Sequence, residues 1–187
     1  GDPGAGPGPV PPIPERAKAG DDAVAAAVRA LQSGEPVLLH LGDRAVRNEG
    51  RVLADRIARK TGARLMAMTS NARIDRGAGT VPIERLPYPI DQGIDALKGF
   101  RHIILIGATP PVGFFAYPGK PSLLAPEGST TLPLATPAED PIDAPERPAP
   151  VVAARSDRRR AWEERLSPVS AVHSNQKSFQ TLIPSTP

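Results

Sequence analysis

No cysteine occurs in the 187 residues. Disulfides, thiolate metal centres and cysteine nucleophiles are therefore excluded from this chain's chemistry. Aromatic residues make up only 4% of it. The three histidines, His40, His102 and His173, have no matching Ser or Asp arrangement, and no carboxylate pair stands out. A stand-alone hydrolase is thus unsupported. No apolar run approaches the roughly 20 residues that a bilayer span needs, and no secretion signal is legible. The expectation is a cytoplasmic protein with no membrane partner. Net charge is only +3, weak grounds for a nucleic-acid partner, and none is expected. No G-x-G-x-x-G follows an apolar run, so the dinucleotide fingerprint is missing as well.

Proline is what the chain has in excess, at 24 residues, well above the average of about 5%. The prolines gather at the two ends and divide the chain into three. Residues 1–20, GDPGAGPGPVPPIPERAKAG, read as a Pro/Gly linker without the apolar surface for a core. Gly4, Gly6 and Gly8 are not a phosphate loop, because no strand precedes them and prolines alternate with them. Residues 21–136 hold nearly all the apolar periodicity and read as the folded domain. Residues 137–187 read as a Pro/Arg-rich, disordered tail, with one short helical pattern at 157–166.

Within the domain, Asp21 or Asp22 offers an N-cap, and Val24, Ala27, Val28 and Leu31 share one helix face. Val37 to Leu41 is a buried strand closed by Gly42, with Asp43 and Arg44 in the turn. His40 in that strand reads as structural, since no second ligand or carboxylate is near it in sequence. Asn48 caps a second helix that stops at Gly62, and Arg64 to Met68 gives the next strand. Strand, helix and strand with short turns form a βαβ unit, so these strands should be parallel. The loop Thr69 to Thr80 carries Asn71, Arg73, Asp75 and Arg76, either cleft-lining groups or ordinary solvated ones. Pro82, Pro87 and Pro89 keep the next segment irregular or extended, and a helix follows with Ile90, Ile94 and Leu97 inward.

The domain is organised around Phe100 to Ser122. Ile103 to Ile106 is an unbroken apolar run, the mark of a strand covered on both faces. Pro110 and Pro111 end it, and GFFAYPGKPS follows. That loop lies past the carboxyl end of a parallel strand, where open α/β sheets place ligands. Phe114, Phe115 and Tyr117 either plug the sheet edge or face a ligand or partner. Ser122 to Leu124 is expected to make a helical turn, and Ser129 to Leu134 a last strand.

Three segments carry a resemblance: TGARLMAMTSNARIDRGAGT, ERLPYPIDQGIDALKGF and ILIGATPPVGFFAYPGKPSLLAPEG. From about Asp21 to Ala135 the chain resembles the central domain of thiamine-diphosphate-dependent enzymes of the acetolactate synthase and benzoylformate decarboxylase-like branch. The resemblance implies a Rossmann-like parallel sheet of about six strands with helices on both faces. It also implies flanking catalytic domains, PYR and PP. The first supplies a glutamate to the thiamine pyrimidine; the second holds the diphosphate through Mg²⁺ with a GDG…N motif. No such motif occurs here. The chain alone is therefore expected to be inactive and to hold no cofactor, with thiamine diphosphate and Mg²⁺ belonging to the parent enzyme. After Ala135 the sequence leaves the family pattern, which points to a truncated or frame-shifted gene or an excised domain.

Central domains of this family bind FAD or ADP in some members. The positions that would meet such a nucleotide are Gly42, Asp43 and Arg44 after the first strand, Asn71 after the second, and Gly107, Ala108 and Thr109 after the central one. The expected role is a non-catalytic scaffold. The alternative is a free-standing FAD/ADP-binding or protein-interaction module. An apolar loop left without its catalytic neighbours would make the isolated chain self-associate.

Overall fold

The computed structural model describes residues 15–115 and 117–146. The chain runs α1 (Asp21–Gln32), β1 (Val37–Leu41), a 3₁₀ turn (Asp43–Val46), α2 (Asn48–Thr61), β2 (Arg64–Ala67), β3 (Glu84–Arg85), α3 (Ile90–Leu97), β4 (His102–Ile106), β5 (Thr130–Ala135) and α4 (Asp143–Glu146). The five strands form one sheet in the order β3-β2-β1-β4-β5, and every pairing is parallel. The sheet has five strands among the described residues where about six were expected.

Side-chain alternation along each strand sorts the core into two layers. On one face Leu39, Leu41, Ile104 and Ile106 pack with Ala27 and Leu31 of α1 and Ala54 and Ile57 of α2. On the other, Leu38, Met66, Ile103 and Leu105 pack with Ile90 and Leu97 of α3, Phe100 and Leu124. Central strands buried on both faces read as continuous apolar runs, which is why β1 and β4 were legible. Pro133 sits in β5 at the sheet's edge, where its missing N–H costs no central ladder bond.

Local details differ from the expectations in four places. Neither Asp21 nor Asp22 caps α1: Gly20 is the cap residue, and both aspartates lie in the first turn, favoured by the helix dipole. Asn48 is the first residue of α2 rather than its cap. Leu123 does not begin a helical turn; it bridges antiparallel to Val112, so the chain doubles back as a hairpin. The apolar pattern ends near Thr136, yet the packed chain does not. Ala17 bridges Glu139 in parallel, and α4 lies against α2. Backbone pairing and two isolated buried prolines, Pro141 and Pro145, mark this stretch, and such features leave no periodic trace. The 157–166 helical pattern lies outside the described residues.

Candidate functional site

The strand order reverses between β1 and β4, and their carboxyl ends are the usual ligand position in an open parallel sheet. Gly42 and Gly107 do meet there. The Gly42 N–H donates to the Ile106 carbonyl at 3.0 Å. A Cβ on Gly42 would stand 2.5 Å from the Gly107 oxygen and 2.5 Å from Met68 Sδ. Gly107, at φ +60°, would bring a Cβ to 2.9 Å from the Gly42 oxygen and 3.1 Å from Pro141. These glycines let two backbones touch, and both N–H groups are engaged within the sheet, that of Gly107 donating to the Ala135 carbonyl at 2.8 Å. Ala108 is buried, whereas Thr109 and Arg44 are exposed.

Segments entering and leaving the domain lie over this junction. Arg16 Nη1 donates to Asp43 Oδ2 at 2.6 Å and to the carbonyls of Pro137 and Glu139. The Asp140 N–H donates to the Ala17 carbonyl at 2.8 Å. Asp43 adopts φ +44°, a left-handed conformation that is uncommon outside glycine and most tolerable for Asp and Asn.

The loop after β2 is fastened to α2. Arg51, only 2% exposed, donates from Nη1 to the Val81 carbonyl at 2.7 Å and from Nη2 to the Asp75 carbonyl at 2.6 Å. The Asp75 carboxylate accepts the Asn48 N–H at 3.0 Å, satisfying a donor at the start of α2 from 27 residues away. That bond, with Arg73, Arg47 and Arg51 nearby, holds the Asp75 carboxyl below the usual carboxylate range. Asn71 Nδ2 donates to the Met68 carbonyl at 2.7 Å, tying the loop's first turn to the end of β2.

Beside this loop, at the carboxyl ends of β2 and β3, opens a cleft of about 790 Å³. Its lining includes Thr69, Ser70, Arg76, Arg85 and Tyr88 over an apolar floor. Asn71 is not among its lining residues. Next to it stands the 111–124 hairpin. Phe114, Phe115 and Tyr117 do not plug the sheet edge: they are 70%, 52% and 49% exposed. The hairpin is firmly held nonetheless. Its arms bond through Gly113 N–H to Ser122 O and Leu124 N–H to Pro111 O, and Lys120 reaches Asp91 of α3 at 2.7 Å. Phe114 contacts Tyr88 at 6.2 Å and Phe115 at 4.9 Å between ring centroids, and Phe115 contacts Tyr117 at 6.2 Å.

Arg51, Arg85 and Tyr88 had no sequence signal as site residues. Arg85 and Tyr88 flank Leu86-Pro87 in a stretch that reads only as irregular or extended, and Arg51 sits on a helix where arginine ordinarily faces solvent. His40 is buried in β1, and burial pushes its imidazole down to about 4, partly offset by a hydrogen bond with the Met66 backbone. It is a neutral core group, not an acid–base residue of the cleft. Among the described residues no three His, Cys, Asp or Glu side chains come together to hold a metal ion. No helix among them is long and apolar enough to cross a membrane.

A doubly wound, parallel α/β domain of Rossmann type is the class these features define. No family model matches the chain. A Mycobacterium tuberculosis protein named as an acetolactate synthase large subunit, IlvX, is 41% identical over 125 residues, 67% of this chain and 24% of that protein. A thiamin diphosphate-dependent enzyme from Mycobacterium smegmatis superposes with TM-score 0.60 at 19% identity, covering 81% of this chain and 32% of its own. The thiamine diphosphate-dependent 4-hydroxybenzoylformate decarboxylase of Rhodococcus jostii RHA1 gives 0.58 at 18% identity, covering 78% and 30%. The chain is a domain of the thiamine-diphosphate-dependent enzyme family, acetolactate synthase-like in sequence. It spans about a quarter of the curated relative's length.

Proposed function

We propose that the chain serves as the non-catalytic central domain of a thiamine-diphosphate-dependent 2-oxo-acid enzyme of acetolactate synthase type. It holds the PYR and PP catalytic domains at a fixed distance and orientation, in the cytoplasm. Thiamine diphosphate and Mg²⁺ would be bound by those partners, and this chain alone turns nothing over. The carrying observation is the hairpin: Val112, Phe114, Phe115, Tyr117 and Leu123 are each about half exposed or more on a loop fixed by its own hydrogen bonds and an ion pair. A pinned, contiguous apolar surface is what a domain keeps for a neighbour. The side-by-side course of the entering and leaving segments supports the reading, because a domain strung between two others has both connections to place.

Light scattering on the full 187-residue chain tests it. Wild type should self-associate as concentration rises. The double substitution Phe114→Ser, Phe115→Ser should stay monomeric with an unchanged circular dichroism spectrum. A wild-type chain that is monodisperse at every concentration would favour a free-standing module instead.

A further inference from the structure

We propose that the cleft and the aromatic hairpin form one docking groove for an extended, acidic peptide segment of a partner protein. Charge is the first argument. Arg76 and Arg85 both line the cleft, and neither has a carboxylate partner among the described residues. Glu84, the cleft's acidic residue, is turned to account by Arg64 at 3.6 Å. Carboxylates are the natural complement of such a pair of forked donors.

Shape is the second argument. One wall of the cleft is β3, an edge strand of two residues with no strand paired on its outer side among the described residues. An edge offers unpaired N–H and C=O groups to an added extended chain. From Tyr88 the lining passes without a break into the Phe114, Phe115 and Tyr117 rings. A row of four rings, each touching the next, suits successive apolar side chains of a segment better than one compact ligand. Fixity is the third. A buried guanidinium, Arg51, grips the loop at Asp75 and at Val81, on either side of Arg76. Arg51 is thus a positioning residue for the mouth of the groove.

Fluorescein-labelled peptides covering the M. tuberculosis relative outside its shared segment supply the probes, each also made with Asp and Glu replaced by Asn and Gln. Binding to the full chain is read by anisotropy at two salt concentrations. The expected binder carries clustered carboxylates beside apolar residues and weakens with salt. Its amide version, and Arg76→Ala or Arg85→Ala in the chain, should each lose about tenfold, the scale of one charge-assisted hydrogen bond. Arg56→Ala, on the exposed face of α2, should change nothing. The proposal falls if no peptide binds, if the amide versions bind equally, or if ADP or pyrophosphate displaces the peptide through the same arginines. It rests on the scaffold reading only for the source of the segment. Scrambled acidic peptides that bind equally well would keep the groove and remove that source, while the Phe114/Phe115 light-scattering result judges the scaffold separately.

Discussion

His40 makes the stability of this domain depend on pH between about 4 and 6.5. The residue lies in the middle of β1, in register with Met66 of β2 and Leu105 of β4, and its Nδ1 is buried without a hydrogen-bond partner. Burial disfavours the imidazolium, so the folded chain keeps the ring neutral down to about 4, while the unfolded chain takes up a proton at the ordinary value of 6.5. Between these values the unfolded state binds more protons, and stability falls as pH falls. At about 1.4 kcal/mol per unit, the full window is worth about 3 kcal/mol, a large part of a typical domain's 5–15 kcal/mol. Below about 4 the folded state protonates as well and this contribution levels off. Urea unfolding followed by circular dichroism from neutral pH to about 4 measures it. Carboxylates add their own acid sensitivity, so the comparison is with His40→Leu, which keeps the volume and removes the proton. The difference in stability between the two proteins should change by about 3 kcal/mol across the window. Parallel curves would show that His40 is not held neutral, and the burial argument would fail.

Arg51→Met should destabilise the domain by about 2 kcal/mol or more, because two carbonyls lose their charged donor. Limited trypsin digestion should then cut faster at Arg73 or Arg76 than in the wild type. Gly42→Ala should cost about 3 kcal/mol, near the upper end for overpacking, since the new methyl would meet the Gly107 backbone and Met68; its urea midpoint reports this. An unchanged midpoint would mean that the β1–β4 junction opens readily, and a nucleotide crevice there would regain standing. Arg16→Ala should release the entering segment, read as faster amide exchange at Asp140, whose N–H is held by Ala17.

The sequence by itself determined the sheet's centre. Val37–Leu41, His40 apart, and Ile103–Ile106 are apolar on both faces, the pattern of a strand between two helix layers. It also determined the helix end at Gly62, where φ +79° is a local property of one residue; Pro89, expected in the first turn of α3, stands just before it as the extended cap residue. Tertiary structure alone decided the surface. Phe114, Phe115 and Tyr117 are of the residue types that usually fill a core, yet they stand exposed on a hairpin closed by the Gly113–Ser122 and Leu124–Pro111 backbone bonds. Gly42 and Gly107 were candidate nucleotide contacts at two strand ends, and only the fold shows that, 65 residues apart in sequence, their backbones touch each other. Arg51 carries no local signal for burial, and only the loop folded over it makes it a buried donor to Val81 and Asp75. In each case the deciding partner is remote in sequence, and a one-dimensional pattern records only what a residue requires of its immediate neighbours.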